Sequence, residues 1–130
     1  MNTAVRYYSR SGNTKAVADA IAKAAGVNAV SVDSADAAIK SPLDVLFIGG
    51  ALYAYEIDSH LKDYLKTLTK SDVKRAVVFS TSWISKHAID LIKKELSEKG
   101  IPTAEEVFYV KNKPNEAQLK DAAAFAEKFL

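Results

Sequence analysis

Residues 7–24, "YYSRSGNTKAVADAIAKA", decide the fold. Tyr7 and Tyr8 close an apolar run. Six small or polar residues follow: Ser9, Arg10, Ser11, Gly12, Asn13 and Thr14. Val17, Ala20, Ile21 and Ala24 then recur at helical spacing before Gly26. A strand, a tight turn free of proline, acid and cysteine, and an amphipathic helix make the opening of a βαβ unit.

The same alternation continues along the chain. Residues 27–32 read as a second strand, and residues 34–40 as a turn or two of helix stopped by Pro42, with Asp33 and Asp36 as its expected caps. Val45-Leu46-Phe47-Ile48 is a continuous apolar run that Gly49-Gly50 ends, as expected of a strand buried on both faces. Leu61, Tyr64, Leu65 and Leu68 mark a helix, and Ala76-Val77-Val78-Phe79 a fourth strand. Ile84, Ala88, Leu91, Ile92 and Leu96 stripe the next helix. Residues 107–110 form a fifth strand, and Leu119, Ala122, Ala126 and Phe129 stripe the last helix. Five strands alternating with helices predict a three-layer, doubly wound α/β domain spanning residues 1–130, with a parallel sheet and right-handed crossovers. Arg6 stands in a strand that should be central, and periodicity offers no reason for a charge there.

Composition narrows the chemistry. The chain has 130 residues, 48% hydrophobic and 26% charged, as expected of one ordered globular domain. It has no cysteine, which removes disulfides, thiolate metal sites and thiol nucleophiles together. The longest uncharged stretch, residues 45–55, is too short to span a bilayer, and the N-terminus lacks a secretion signal. A cytoplasmic location is therefore expected. A net charge of +2 does not by itself call for nucleic acid or a membrane surface.

In a doubly wound sheet the ligand sits outside the carboxyl ends of the strands, where strand order reverses. Three loops meet there: residues 9–14, 49–58 and 80–87. In the first, Ser9, Ser11 and Thr14 supply hydroxyls and Asn13 an amide. Gly12 permits a tight turn, and the N–H groups of the helix start face the same hollow. Neutral donors at a helix N-terminus suit a phosphate dianion. No lysine precedes Lys15, and the glycine spacing matches neither a Walker loop nor a dinucleotide fingerprint. A terminal monophosphate fits better than a triphosphate needing magnesium.

The stretch "YYSRSGNTKAVADAIA" resembles the phosphate loop of flavodoxins, Ser/Thr-x-Ser/Thr-Gly-Asn-Thr, which binds the phosphate of flavin mononucleotide (FMN). The alternation is similar to the flavodoxin fold from end to end, strand order 2-1-3-4-5, of which flavodoxin is itself the type example. Length and the tail "FYVKNKPNEAQL" resemble the short-chain members. The resemblance implies that Ser9, Arg10, Ser11, Gly12, Asn13 and Thr14 hold the phosphate, and that the isoalloxazine ring lies between the second and third loops. Trp83 and either Tyr53 or Tyr55 would stack on it, Tyr53 being preferred. Backbone of Ala51, Leu52, Ala54 and Ser82, with the hydroxyls of Ser80 and Thr81, would meet the ring edge and ribityl chain. Asn112 is a further contact implied by the tail.

Two departures from the family pattern stand out. A glycine usually takes part in the peptide flip beside the flavin, whereas Ala54 and Tyr55 stand here, which puts the separation of the two one-electron steps in question. Family members are usually strongly acidic, whereas this chain is slightly basic, with Lys86 and His87 where acids often cluster. A less negative potential or a different partner surface is expected.

The implied function is one-electron transfer by bound FMN: a monomeric carrier docking transiently to redox partner proteins, with no nucleic acid or membrane partner. A carrier is favoured over a catalyst with its own substrate. Two alternatives stay open: a small oxidoreductase of the quinone-reductase or protoporphyrinogen-oxidase type, suggested by "GGALYAYEIDSHLKDYL", and a flavodoxin-fold domain that has lost flavin. A response-regulator receiver would need acids where Ser9 and Gly49 stand, and a low-molecular-weight phosphatase would need a loop cysteine. His60 and His87 read as helix-start surface residues, and Lys62, Lys66, Lys70, Lys74 and Arg75 as a solvated face.

Overall fold

The computed structural model describes residues 1–83 and 85–130; Ile84, read above as part of a helix stripe, lies outside the described residues. In chain order the elements are β1 (Thr3–Tyr7), α1 (Asn13–Ala25), β2 (Ala29–Ser31), a 3-10 turn (Ala35–Ala37), β3 (Val45–Gly50), β4 (Leu52–Tyr53), β5 (Glu56–Ile57), α2 (Ser59–Thr67), β6 (Ala76–Thr81), α3 (His87–Glu98), β7 (Phe108–Val110) and α4 (Glu116–Glu127). Five strands pair in parallel in the order β2-β1-β3-β6-β7. With the small β4–β5 hairpin set aside, this is the predicted 2-1-3-4-5 order.

Strand alternation builds two cores. Val5, Tyr7, Phe47, Val77 and Phe79 face α1 and α4, against Val17, Ile21, Ala122 and Phe125. Ala4, Leu46, Ile48 and Val78 face α2 and α3, against Leu61, Leu65, Ile92 and Leu96. Both faces of β3 are therefore dry, which explains its uninterrupted apolar run. None of the described helices is long and apolar enough to cross a membrane.

Three local features differ from the expectations. The crossover between β2 and β3 carries only the 3-10 turn, capped by Ser34, whose Oγ accepts from the Asp36 N–H at 3.2 Å; neither Asp33 nor Asp36 is the cap. That turn is too short to bury an apolar stripe, and here Arg6 finds its reason. Only 9% exposed, its Nε donates to the Ala37 carbonyl at 2.9 Å and its Nη1 to the Val5 carbonyl at 3.2 Å. Tyr64 donates its hydroxyl to the same Ala37 carbonyl at 2.6 Å. A polar clasp thus holds the turn where a longer helix would have used hydrophobic contact.

The other two concern strand ends. β6 runs on through Ser80 and Thr81, and β3 runs through Gly49 and Gly50 rather than stopping at them. Space, not turning, is why glycine stands there. A Cβ on Gly49 would overlap the ring of its cross-strand neighbour Phe79 and that residue's carbonyl oxygen. A Cβ on Gly50 would meet only the tip of the Leu61 side chain, which can yield. Gly49→Ala is expected to destabilise by about 3 kcal/mol, and Gly50→Ala by about 1 kcal/mol, in urea unfolding. Equal costs, or the reverse order, would contradict this account of the tight approach between β3 and β6.

Candidate functional site

β1 pairs with β2 on one side and β3 on the other, so successive crossovers leave it in opposite directions and open a crevice at its carboxyl end. Residues 9–14 fill that end. Gly12 takes the left-handed conformation (φ 94°) at the N-cap of α1 and offers no side-chain cap. Its N–H donates to Ser9 Oγ at 3.0 Å, and the Arg10 N–H donates to the Tyr53 hydroxyl at 3.2 Å. The N–H groups of Ser11, Asn13, Thr14 and Lys15 make no hydrogen bond to a protein acceptor among the described residues. No acid stands in the first turn of α1. Unanswered donors at the positive end of a helix dipole, without a competing carboxylate on the helix, form an anion-binding concavity.

Hydrogen bonds stitch the surrounding loops together. Thr14, only 1% exposed, shares a 2.6 Å hydroxyl–hydroxyl bond with Thr81, so its oxygen faces the end of β6 rather than the open loop. Ser80 and Ser82 are also buried, their hydroxyls 3.5 Å apart. Ser82 is a junction: its Oγ accepts from the Leu52 N–H (3.0 Å), and its carbonyl accepts from the Tyr109 hydroxyl (2.7 Å) and the Asn112 N–H (3.3 Å). Asn112, held at φ 66°, receives a long 3.5 Å contact from the Asn13 amide. Thr14, Ser80 and Thr81 thus lie beneath the crevice as support. Ser11, Gly12 and Asn112 lie at its exposed surface, and Ser9, Asn13 and Ala51 are half-buried.

The second loop is a hairpin. β4 and β5 pair across Ala54 and Tyr55, both at positive φ (50° and 67°), as a two-residue type I′ connection requires. Asn-Gly is the usual choice there; alanine and tyrosine hold it under strain. The turn separates the two tyrosines. Tyr53 is pinned by its hydroxyl to the first loop, and the Arg10 guanidinium lies over its ring, 3.8 Å from the centroid. Burial raises the Tyr53 pKa, only partly offset by the Arg10 N–H and charge. Tyr55 projects, 72% exposed, and shares a cleft of about 120 Å3 with Leu52, Ala54 and Trp83, itself 65% exposed. Tyr55 and Trp83 both line this cleft, and Tyr53 does not.

One cluster went unread in the sequence. Asp58, 6% exposed, accepts from Arg10 Nε (3.0 Å) and Nη2 (2.6 Å) on one oxygen. Its other oxygen is shared by the His60 N–H and Nδ1, both at 2.8 Å, and the His60 ring stacks on Tyr8 with centroids 4.9 Å apart. Burial pushes the Asp58 pKa up, but the hydrogen bonds from Arg10 and from the His60 amide and ring outweigh it and hold it below the ordinary aspartate value. Asp58 therefore caps α2 and ties the hairpin to the first loop. An acid just before a helical stripe is a legible N-cap signal; its Arg10 partner, 48 residues away, is not.

Size alone does not select the site. Larger grooves lie beside Arg6 along β2 (about 330 Å3) and around Met1, Asp44 and Arg75 at the opposite end of the sheet (about 390 Å3). The crevice is distinguished by unanswered donors, aromatic walls and strained backbone meeting at the strand ends.

Fold and site together define a doubly wound α/β domain with unanswered backbone donors after its first strand and an aromatic cleft beside it. A family model described as a flavodoxin domain matches residues 4–121. The chain belongs to the flavodoxin family. No curated protein matches the sequence. Among solved structures it is similar to oxidised flavodoxin 1 from Bacillus cereus: 20% identity, TM-score 0.83, covering 99% of this chain and 97% of that one. A flavodoxin from the domain Archaea gives 22% identity and TM-score 0.75, covering 99% and 96%. A short-chain flavodoxin associated with a bacterial microcompartment gives 18% identity and TM-score 0.76, covering 99% and 97%. At these identities the likeness shows the fold.

Two predictions follow from the hairpin and its tie. Ala54→Gly is expected to stabilise the fold by about 0.5–1 kcal/mol, because the left-handed strain exceeds the entropy glycine adds to the unfolded chain; a loss of thermal stability would contradict it. Asp58→Asn is expected to cost about 2 kcal/mol near neutral pH. Because the folded pKa lies below the ordinary value of 3.8, this contribution is complete above that value and is lost as pH falls through the folded one. Urea midpoints of the two proteins should therefore converge only at acid pH. A gap that stays constant down to acid unfolding would show that the carboxylate charge is not responsible.

Proposed function

We propose that this chain binds FMN at the carboxyl end of its sheet and carries single electrons between redox proteins. The observation that carries this reading is the run of unanswered N–H groups on Ser11, Asn13, Thr14 and Lys15, next to a cleft walled by Tyr55 and Trp83. Membership of the flavodoxin family supports it.

The residues present fit this cofactor. A phosphate dianion needs several converging donors, and backbone N–H groups supply them without a lysine or a metal. The exposed Ser11 hydroxyl adds to them. Thr14 acts indirectly, its bond to Thr81 fixing the first turn of α1 against β6. For the ring, Tyr55 and Trp83 offer flat apolar surfaces with few rotatable bonds to immobilise. Tyr53 serves elsewhere, joining the hairpin to the phosphate loop through its hydroxyl and its stacked Arg10. Bound FMN supplies the electron chemistry; the protein orients it, excludes water and sets the surrounding charge. The Ser82 junction and the Arg10–Asp58 tie keep the loops in register, which limits reorganisation.

Titration of the flavin-free protein with FMN is the test, read by quenching of flavin fluorescence. One equivalent should bind, and riboflavin, which lacks the phosphate, should bind at least about a hundredfold more weakly, the least expected if only two charge-assisted hydrogen bonds are lost. Tyr55→Ala and Trp83→Ala should each weaken both flavins by about tenfold, leaving the FMN-to-riboflavin ratio intact. Equal affinity for the two flavins would remove the phosphate nest from the account. No binding of either would overturn the function.

A further inference from the structure

The charges around the crevice are unevenly shared, and strand order explains how. The loops after β6 and β7 stand at one end of the sheet and the loop after β2 at the other. The first two carry Lys86, Lys111 and Lys113; the last carries Asp33 and, in the following turn, Asp36. Several other charges nearby are already answered: Arg10 by Asp58, and Lys15 by Asp19 at 2.7 Å. His87 lies 4.0 Å from Asp90. Glu116 occupies the first turn of α4, where the helix dipole meets its charge. Glu56 is the exposed acid of the hairpin.

Lys86, Lys111 and Lys113 make no ion pair among the described residues. Two of them are placed by aromatic rings instead. The Lys86 ammonium sits 5.5 Å from the centroid of Tyr109, and the Lys111 ammonium 5.6 Å from that of Trp83. Contacts of this kind position a cation without neutralising it. Two of these uncompensated charges are thus fixed on aromatics, Lys111 on Trp83 itself, and Lys113 stands two residues beyond Lys111 on the same loop; all three residues are exposed.

We propose that the surface formed by Trp83, Lys86, Lys111 and Lys113 is the docking face of this protein, and that it fits the acidic face of a redox-protein partner. The proposal rests on the FMN reading above, because it places the partner beside the cleft that would hold the flavin ring. Complementary charge of this kind speeds encounter and fixes orientation more than it adds affinity, as a transient exchange requires. A nucleic acid fits less well: three lysines would neutralise too few phosphates to hold a duplex at physiological salt.

Trp83 is the chain's only tryptophan, so it reports on this surface with or without flavin. In the flavin-free full chain at low ionic strength, iodide should quench Trp83 fluorescence about threefold more efficiently than caesium, as a local positive potential demands. The variant K86Q/K111Q/K113Q should bring that ratio to near one. Equal quenching in the unaltered protein would overturn the proposal while leaving FMN binding untouched. In the flavin-loaded protein reduced with dithionite, oxidation by ferricyanide transfers one electron per anion and yields ferrocyanide. Its rate should fall at least threefold as salt rises from about 10 to 300 mM, a range over which the screening length shrinks from about 30 Å to well under 10 Å. Oxidation by hexaammineruthenium(III) should rise over the same range, and the triple variant should lose both dependences. A faster reaction with the ruthenium cation at low salt, or lysine-dependent retention of a labelled DNA duplex at physiological salt, would also overturn it. If the protein holds no flavin, the FMN reading fails alone, and the quenching ratio still decides the charge of the surface.

Discussion

The first turn of α1 points backbone N–H groups at the end of β1, and no protein atom among the described residues answers those of Ser11, Asn13, Thr14 and Lys15. Much of the site follows from that constraint. A helix beginning inside a crevice must either be capped by its own side chains or leave donors for something else. Here the N-cap is Gly12, which has no side chain to offer, and its left-handed φ lets the loop curl without closing on itself. Ser9 turns its hydroxyl back to the Gly12 N–H and so stiffens the loop without filling it.

The second loop is organised around the first. Arg10 could have placed its charge over the nest, but Asp58 draws the guanidinium to the hairpin, where it covers one face of Tyr53. The nest therefore stays a matter of neutral donors, and the hairpin becomes rigid enough to hold Ala54 and Tyr55 at positive φ. Backbone strain of this sort persists only where its surroundings over-determine it. Its location beside Trp83 ties the strain to the cleft.

What could be read from the sequence is what is local. Strand, turn and helix are contiguous in residues 3–25, so the loop and its donors were legible, and the apolar runs of β3 and β6 made the parallel sheet legible. The remainder depends on partners distant in sequence or on exceptions to local rules. Gly49-Gly50 looks like punctuation, yet both residues continue β3, and the first is glycine because Phe79 leaves no room for a side chain. Ala54-Tyr55 lacks the Asn-Gly signature of a type I′ turn, so neither the hairpin nor the way it separates Tyr53 from Tyr55 is legible in the sequence. That Thr14 and Ser80 are buried at the strand ends, rather than exposed on the loops, shows only in the structure. Arg6 made no sense as a strand residue without the Ala37 carbonyl it serves.

The central claim is that backbone donors at the start of α1 hold a phosphate as its dianion. Phosphorus NMR of FMN mixed with the protein tests it directly, because the second ionisation of a phosphate monoester lies near pH 6, inside the accessible range. The account predicts a shifted bound signal that does not move between about pH 5.5 and 8, a window that spans the free titration. A bound signal that titrates as free FMN does would mean that the phosphate stands in solvent, and the nest would not be its site.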